Sequence, residues 1–334
     1  MTKIAVLGGG SWGTGLAVVL ARSRRPHEVS LWVRDAALAE TIHSARENSR
    51  YLPGVALPDN IQITTNIEES LHESPIIIGA VPSAHARGVF SLACPHVWPE
   101  AILVSAIKGL EPATHLRMSE VIEQVFSLRF IPRLAVLSGP SFALEAAAGE
   151  PTAVVIASKD NALASFLQEE FSGPAFRLYT NADVLGLELA GAMKNVIAIA
   201  AGACQGIGLG ANTLAALVTR GLAEMTRLAV ALGASRETLS GLAGLGDLVL
   251  TCHGQLSRNR RVGFELGQGR SLPEILAGMN MVAEGVSTTA ALLDLARETR
   301  IDLPITQQVH SILHLGNSPR DAIRAIMERP LRRE

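Results

Sequence analysis

KIAVLGGGSWGTGLAVVL, residues Lys3 to Leu20, begins as an apolar strand, passes through a glycine-rich turn and continues as the start of a helix. In the turn, Gly8, Gly10 and Gly13 have the spacing G-x-G-x-x-G. The first glycine of such a turn permits a tight reversal, the second lets the main chain approach a pyrophosphate, and the third lets helix and strand pack closely. The helix N-terminus then faces the anion with its unpaired backbone amides. We therefore predict a dinucleotide-binding turn; the alternative is a glycine-rich strand–helix turn that binds nothing.

The end of the second strand indicates which dinucleotide binds. The run VSLWV, Val29 to Val33, has the composition of a strand, and Arg34 follows it. The adenosine ribose lies at this point of a dinucleotide-binding unit, where a guanidinium can pair with a 2′-phosphate. We therefore expect NADP(H) to be preferred. Asp35 keeps NAD(H) possible, because a carboxylate can accept the ribose 2′-hydroxyl, and Arg34 could also be an ordinary solvated charge.

Length, charge and cysteine usage fit a soluble enzyme in a reducing compartment. A chain of 334 residues exceeds the usual size of one core, and a net charge of −2 gives no electrostatic reason to bind nucleic acid or an anionic membrane. No export signal is visible at the N-terminus. The longest apolar stretch, Leu189 to Cys204, is interrupted by Lys194 and is shorter than a membrane span requires. The three cysteines lie far apart without C-x-x-C spacing, which argues against disulfides and a structural zinc site; they are Cys94, Cys204 and Cys252.

Two domains are expected, an α/β Rossmann domain over residues 1–184 and an all-α domain over residues 185–334. In the first half, β-rich runs alternate with helical patterns, which predicts a mostly parallel, doubly wound sheet. The later strand runs are Ile61–Thr64, Ile76–Val81, Ile102–Ile107, Leu134–Gly139, Thr152–Ser158 and Phe176–Thr180. After Thr180 the patterns are helical, over Asp183–Gly208, Ala211–Gly233, Ser257–Gly267, Glu284–Thr299 and Pro304–Leu315.

Ligands of an open parallel sheet collect at the carboxyl ends of the strands, so residues directly after the strands are candidates for chemistry. Lys108 follows one strand, and Gly139 and Ser141 follow another at the start of a new helix. Backbone amides at that helix start would point toward a ligand. Lys108 could equally be an exposed lysine in a turn.

The strongest chemical anomaly is Lys194, the single charge in the apolar segment LAGAMKNVIAIAAGA. Burial disfavours an ammonium and would lower its pKa toward the working pH, as a general acid requires. Asp247 is a second lone charge in an apolar stretch and the obvious partner, and Thr251 lies one helical turn later. An ion pair that only joins two helices is the competing interpretation. We reject Cys252 beside His253 as a nucleophile pair, because adjacent helical residues point in different directions.

A phosphate site is predicted at Ser257-Arg258-Asn259, where a capping serine and a guanidinium stand at a helix start. Backbone amides, the helix dipole and a forked donor all favour a phosphate monoester there. The following residues, Arg260 and Arg261, are expected to form a solvated helical face.

Several segments together resemble the bacterial-type NAD(P)-dependent glycerol-3-phosphate dehydrogenases, in the order GGGSWGTGLA, SAIKGLE, SGPSFALE, LAGAMKNVIAIAAG, TRGLAEMTRL, GLAGLGDLVLTC, SRNRRVG and VAEGV. The resemblance covers nearly the whole chain. It implies reduction of dihydroxyacetone phosphate to sn-glycerol 3-phosphate in the cytoplasm, by a reaction that needs no metal ion. The product would supply phospholipid synthesis. It also implies a Rossmann domain, a helical domain and a homodimer.

The resemblance assigns roles to residues. It makes Lys194 the proton-transferring lysine and Lys108 a contact of both substrate and cofactor. Other substrate positions would be Gly139, Ser141, Asn195, Asp247, Thr251, Ser257, Arg258 and Asn259; other cofactor positions would be Ser11, Trp12, Arg34, Ala143, Arg258, Val282 and Glu284. Tyr51 is a further cofactor candidate, although apolar packing explains it equally well. The chain departs from the family at Gly9 and Gly15, where alanine is frequent, and neither change removes a reactive side chain.

Two other functions compete with this one. A related dehydrogenase acting on a 3-hydroxy acid would carry lysine and asparagine as K-x-x-N, whereas Lys194 here directly precedes Asn195. A non-catalytic dinucleotide sensor would keep the glycine turn but would not need a buried lysine, Asp247 and a phosphate site.

Overall fold

The structure, a computed structural model, describes residues 2–279 and 281–331 and divides into two compact units. Unit 1 consists of Met1–Glu111 and Leu116–Glu188, and unit 2 consists of Pro112–His115 and Leu189–Glu334. The domain boundary predicted between residues 184 and 185 falls at the beginning of a long helix that starts at Val184, and it stays a prediction.

Unit 1 contains one sheet, to which the described residues contribute eight strands, as the sequence pattern predicts. In chain order they are β1 (Lys3–Leu7), β2 (Glu28–Trp32), β3 (Ile61–Thr64), β4 (Ile76–Gly79), β5 (Ile102–Ser105), β6 (Arg133–Ser138), β7 (Thr152–Ala157) and β8 (Phe176–Asn181). Their order across the sheet is β3-β2-β1-β4-β5-β6-β7-β8. Every neighbouring pair is parallel except β6 and β7. The mostly parallel sheet is therefore confirmed, with one antiparallel pairing that periodicity did not reveal.

Helices cover both faces of this sheet, because both faces of each central strand are apolar. On β1, Ile4 and Val6 belong to one buried cluster, whereas Ala5 and Leu7 belong to another on the opposite face. The helices of unit 1 are α1 (Ser11–Ala21), α2 (Ala36–Ala45), α3 (Ile67–Leu71), α4 (Ser83–Ala93), α5 (Met118–Phe126), α6 (Ala143–Ala148) and α7 (Asn161–Phe171). The doubly wound architecture follows from these two clusters.

Parallel pairing brings the carboxyl ends of the central strands to one edge. Leu7 of β1 pairs with Gly79 of β4, and Gly79 pairs in turn with Ser105 of β5. The glycine turn after β1 and the loop after β5 that contains Lys108 therefore leave the sheet at the same edge.

Past β8 the described residues form helices only. They are α8 (Val184–Gly206), α9 (Ala211–Ala231), α10 (Arg236–Ser240), α11 (Asp247–His253), α12 (Arg258–Gly267), α13 (Leu272–Ala277), α14 (Glu284–Thr299), α15 (Pro304–His314) and α16 (Pro319–Met327), with a π-helical turn at Leu242–Gly246. The five predicted helices are present within two residues at each end. The shorter α10, α13 and α16 were not predicted, whereas the helical conformation expected around Asp247 and Thr251 is present as α11.

Helix α8 is the longest of the described helices. With 23 residues it is long and apolar enough to cross a membrane, which corrects the expectation that this stretch is too short. However, 89% of its most apolar window is buried, as in the core helix of a globular unit. It packs closely on α12, since a Cβ added at Gly202 would clash with the carbonyl oxygen of Arg260, and one at Gly263 with that of Ile199. These glycines bring the start of α12 toward the part of α8 that contains Lys194.

Candidate active site

The glycine turn has the geometry that an approaching anion requires. Gly8 has φ +131°, and its amide donates to the Trp32 carbonyl at 3.1 Å. A Cβ at Gly13 would clash with the Gly8 carbonyl oxygen, so only glycine allows α1 to start this close to β1. A Cβ at Gly10, in contrast, would meet no atom within 4 Å. The main chain at Gly10 is therefore open to a ligand.

The N-terminus of α1 also offers hydrogen-bond donors. No side chain caps α1 at Gly10, so the first-turn amides at Ser11 and Trp12 have no side-chain acceptor. The Trp12 indole nitrogen is buried and makes no hydrogen bond with any described residue. A buried donor without an acceptor is costly, and an acceptor supplied by a bound molecule would satisfy it. These residues fit the pyrophosphate of a dinucleotide.

Two charged residues follow β2, and their side chains have different environments. Arg34 is exposed directly after the strand. Asp35 caps α2, because its Oδ1 accepts from the amides of Ala37 and Leu38 at 3.0 and 3.2 Å. Its Oδ2 lies 3.5 Å from Nη1 of Arg50. Asp35 is thus engaged at both oxygens, whereas the predicted 2′-phosphate partner Arg34 extends from the strand end.

Sequence reasoning missed Asn48, which fixes this region. Its fully buried amide donates to the carbonyl of Gly9 at 2.9 Å and to Oγ1 of Thr14 at 2.8 Å. Its Oδ1 accepts from the amide of Tyr51 at 3.2 Å. Tyr51 is half-buried and packs against the core, as the apolar alternative expected, but it lies on a segment tied to the glycine turn. An asparagine after a helix end is too common in turns to be recognised from sequence.

The predicted residues at the carboxyl edge meet one another. Lys108 Nζ donates to the Gly139 carbonyl at 2.8 Å and to Ser141 Oγ at 3.3 Å, and Ser141 Oγ donates to the same carbonyl at 2.9 Å. Gly139 has φ +130°, a conformation that favours glycine. Ala143 begins α6 and faces Gly15 of α1, where a Cβ would lie 3.1 Å from the Ala143 carbonyl oxygen. Lys108 is therefore an anchored, half-buried cation rather than a solvated turn lysine.

In unit 2, Lys194 and Asp247 form a buried ion pair. Lys194 Nζ lies 2.5 Å from Asp247 Oδ1, and the two residues are only 5% and 1% exposed. Thr251 Oγ1 donates to the Asp247 carbonyl at 2.6 Å and lies 3.4 Å from Asp247 Oδ1, so it shares the face of Asp247. The π-helical turn at Leu242–Gly246 directly precedes Asp247, the first residue of α11. The pairing that the two lone charges suggested is present.

Asn195 lies next to Lys194 on α8 and is buried, and its Nδ2 donates to the Gly191 carbonyl at 3.3 Å. The main chain at Asn195 is packed against α14, because a Cβ at Gly285 would lie 2.7 Å from the Asn195 carbonyl oxygen. The predicted pocket residue is therefore part of the α8–α14 contact.

The start of α12 has the expected cap and one exposed guanidinium. Ser257 caps the helix, with Oγ accepting from the Arg260 amide at 3.2 Å. Arg258 is exposed, and its Nη1 donates to the Val282 carbonyl at 3.1 Å. Glu284, at the start of α14, is close enough to Arg258 to interact electrostatically. Three residues that the resemblance assigns to the cofactor thus cluster: Arg258, Val282 and Glu284.

Asn259 and Arg260 differ from expectation. Asn259 Oδ1 accepts from the Gly285 amide at 2.9 Å, so this side chain holds the start of α14 and only its Nδ2 can donate to a phosphate. Arg260 is half-buried and donates to Gln205 Oε1 at 2.7 Å, which contradicts the predicted solvated face. Arg261 is mostly exposed and pairs with Glu265 at 2.8 Å, as a surface arginine does.

The structure also bears on nucleophilic and metal chemistry. Burial raises the pKa of Cys252 to about 12, so its thiol stays protonated, while His253 is exposed. Cys252 is therefore poorly suited to act as a thiolate nucleophile. Across residues 2–279 and 281–331, no group of three or more histidine, cysteine or acidic side chains could hold a metal ion.

Comparison with known proteins covers almost the whole chain. Residues 3–164 match the family model for the NAD-dependent glycerol-3-phosphate dehydrogenase N-terminus, and residues 183–324 match the model for its C-terminus. A glycerol-3-phosphate dehydrogenase (NAD(P)+) of Koribacter versatilis is 54% identical over 99% of this chain and 98% of its own. One from Acidobacterium capsulatum is 53% identical over 100% of both. The crystal structure of glycerol-3-phosphate dehydrogenase from Coxiella burnetii superimposes with a TM-score of 0.92 at 39% identity, covering 98% of this chain and 99% of the other.

Proposed function

The chain belongs to the NAD-dependent glycerol-3-phosphate dehydrogenase family, and on this premise we propose that it reduces dihydroxyacetone phosphate to sn-glycerol 3-phosphate. The observation that carries this proposal is the buried pair of Lys194 and Asp247, whose Nζ and Oδ1 atoms lie 2.5 Å apart in a mostly apolar environment. A reduced nicotinamide dinucleotide supplies a hydride to C2 of the ketone when it is bound. The product is a precursor for glycerophospholipids.

Lys194 is the proposed general acid. As hydride adds to C2, the carbonyl electron pair moves to oxygen, and Lys194 Nζ donates a proton to that developing alkoxide. Asp247 accepts a hydrogen bond from Nζ and so restricts the rotamers of the lysine, while Thr251 packs beside the carboxylate. A proton donor held in place before the reaction costs less reorganisation than a mobile one. Asn195 is proposed as a polar contact of the same substrate.

The substrate phosphate is proposed to bind at the start of α12. Arg258 supplies an exposed guanidinium, Ser257 a hydroxyl donor, and Asn259 the Nδ2 that remains after its oxygen accepts from Gly285. Amides of the first helical turn add further donors. This set recognises a phosphate monoester rather than a hydroxy acid.

Lys108, Gly139 and Ser141 are proposed as further substrate contacts, with Lys108 stabilising negative charge on the reacting oxygen. The proposed cofactor contacts are Gly8, Gly10, Ser11, Trp12, Gly13, Arg34, Tyr51, Lys108, Ala143, Arg258, Val282 and Glu284.

NADP(H) is the proposed preferred coenzyme, with NAD(H) as a weaker one. Both oxygens of Asp35 are engaged, one by the amides of α2 and the other by Arg50, so Asp35 is less available to accept a ribose 2′-hydroxyl. Arg34 remains at the strand end to pair with a 2′-phosphate. We also propose that the enzyme is a cytoplasmic homodimer whose partners are small molecules rather than nucleic acid or membrane.

The test is to follow NADPH absorbance with dihydroxyacetone phosphate as substrate, and to repeat it with unphosphorylated dihydroxyacetone and with NADH. We expect turnover with the phosphorylated ketone, a kcat/KM lower by at least about a hundredfold without the phosphate, and a lower KM for NADPH than for NADH. Oxidation of NADPH with a 3-keto acid alone would instead support the hydroxy-acid dehydrogenase. Binding of NADPH without any turnover would support the sensor.

A further inference from the structure

The segment after α2 is fixed against the dinucleotide turn. Asn48 donates to Gly9 and Thr14 of that turn and accepts from the Tyr51 amide. The amide of Leu52 also donates to the Asn48 carbonyl at 2.7 Å, which closes a tight turn over residues 48–52. Because Asn48 is fully buried, these bonds are protected from water. The side chains that this turn displays, Arg50 among them, therefore have a defined position beside the glycine turn.

Arg50 is held from two sides. Its Nη1 lies 3.5 Å from Asp35 Oδ2, and its guanidinium carbon lies 5.2 Å from the centre of the Tyr51 ring. Half of the Arg50 side chain nevertheless remains exposed. A guanidinium has five N–H donors in a planar fork, and this arrangement uses few of them. Arg50 is thus preorganised, with donors left over, at the end of β2.

A net positive charge at the end of β2, which a 2′-phosphate requires, also depends on Arg50. A carboxylate at the end of the second strand repels a 2′-phosphate, and here Asp35 directly follows Arg34. Without Arg50 the carboxylate would cancel the charge of Arg34. With Arg50 the three side chains have one net positive charge, which suits a phosphate dianion.

We propose that Arg50 is a second residue that recognises the 2′-phosphate of NADPH, together with Arg34, and that it is a determinant of coenzyme specificity. Asp35 and Tyr51 act as its positioning residues. The proposal rests on the proposed preference for NADP(H).

The test separates the 2′-phosphate from catalysis by measuring direct binding of two fragments, adenosine 2′,5′-bisphosphate and AMP, by calorimetry. In Arg50→Gln we expect the Kd of the bisphosphate to rise about tenfold, while the Kd of AMP stays within about twofold. The KM for NADPH should rise in parallel and the KM for NADH should not. Arg50→Lys should be intermediate, because it keeps the charge but loses the planar fork.

Arg177→Gln is the matched control. Arg177 also lies 5.2 Å from a tyrosine ring, that of Tyr179, but on β8 at the opposite edge of the sheet from β3. The Arg177→Gln substitution removes the same charge and the same contact with a tyrosine ring as Arg50→Gln does. We expect it to leave the Kd of both fragments unchanged.

If Arg50→Gln weakens the binding of the bisphosphate and of AMP equally, Arg50 only supports the packing of its loop and the proposal is overturned. The proposal is also overturned if the substitution weakens neither. If the wild type discriminates between the fragments and Arg50→Gln discriminates equally well, only this inference falls. If the wild type itself binds the bisphosphate no better than AMP, the proposed preference for NADP(H) falls with it.

Discussion

Lys194 and Asp247 form a buried ion pair to which we assign both a structural role and, as a proposal, a chemical one. Each charge is removed from water, and each makes the burial of the other tolerable. Removing one partner of such a pair typically costs about 3–5 kcal/mol, whereas replacing both by apolar residues is often neutral. This difference allows the proposed catalytic role of Lys194 to be separated from its structural role.

We expect Lys194→Met to lower the free energy of unfolding by about 3–5 kcal/mol and kcat by about 10²–10⁴-fold, with binding of NADPH retained. The double variant Lys194→Met with Asp247→Leu should recover most of the stability in urea but none of the turnover. Recovery of kcat in the double variant would show that the pair only joins helices.

Cys252 lies in the same helix as Asp247 but is chemically inert. Its pKa near 12 arises from burial, so at about pH 8 almost no thiolate is present. We expect Cys252→Ala to keep kcat within about twofold, and a thiol reagent to label no cysteine of the native enzyme but all three after unfolding, because Cys94, Cys204 and Cys252 are all buried. Rapid labelling of Cys252 with loss of activity would refute this.

At the scale of elements, different glycines of the turn between β1 and α1 serve packing and ligand binding. Gly13 touches the Gly8 carbonyl, whereas Gly10, with extended φ −78° and ψ −178°, faces open space. We expect Gly13→Ala to lower the free energy of unfolding by about 3 kcal/mol. Gly10→Ala should leave the Tm unchanged and raise the Kd for NADPH at least about tenfold, because its methyl group would stand where a pyrophosphate approaches.

Circular dichroism and NADPH titration of both variants measure these effects. Wild-type affinity in Gly10→Ala would place the pyrophosphate away from this turn. An unchanged Tm in Gly13→Ala would show that α1 can move away from β1 without lowering the free energy of unfolding.

The periodic elements were predictable because their apolar patterns are long. The strands of unit 1 and the helices α8, α9, α12, α14 and α15 all show such patterns. The short α10 and the π-helical turn at Leu242–Gly246 were not, because five residues contain too few apolar positions to define a period. The antiparallel pairing of β6 with β7 depends on chain direction, which composition does not encode.

At the scale of the whole molecule, stability depends on buried carboxylates such as Glu224. Helix α15 has no side-chain cap of its own, and Glu224 of α9 accepts from the amides of Ile305 and Thr306 at 2.9 Å each and from Thr306 Oγ1 at 2.7 Å. Burial raises the pKa of Glu224 above 4.5, although these donors oppose the shift. At pH values between the ordinary and the raised pKa, the folded state therefore binds more protons at Glu224 than the unfolded state does.

Stability contributed by Glu224 must consequently fall as pH rises from about 4.5 through the raised pKa. We expect the free energy of unfolding of the wild type, relative to Glu224→Gln, to decline over this range, by about 1.4 kcal/mol for each unit of the shift. Urea denaturation of both proteins between about pH 4.5 and pH 8 measures the difference. A difference that is flat or rises with pH would contradict the assignment.

The sequence by itself determined the order of the strands and the long helices, the dinucleotide turn and the chemical candidates, because each depends on residues that are neighbours along the chain or on unusual charges in apolar stretches. Lys194 and Asp247 could be recognised singly for this reason. Only the tertiary structure brought them within 2.5 Å, turned Asp35 into a helix cap beside Arg50, and used Asn48, Asn259 and Glu224 to hold distant segments. A hydrogen bond between residues far apart in sequence has no local periodicity, so it emerges only when packing fixes the backbone around it.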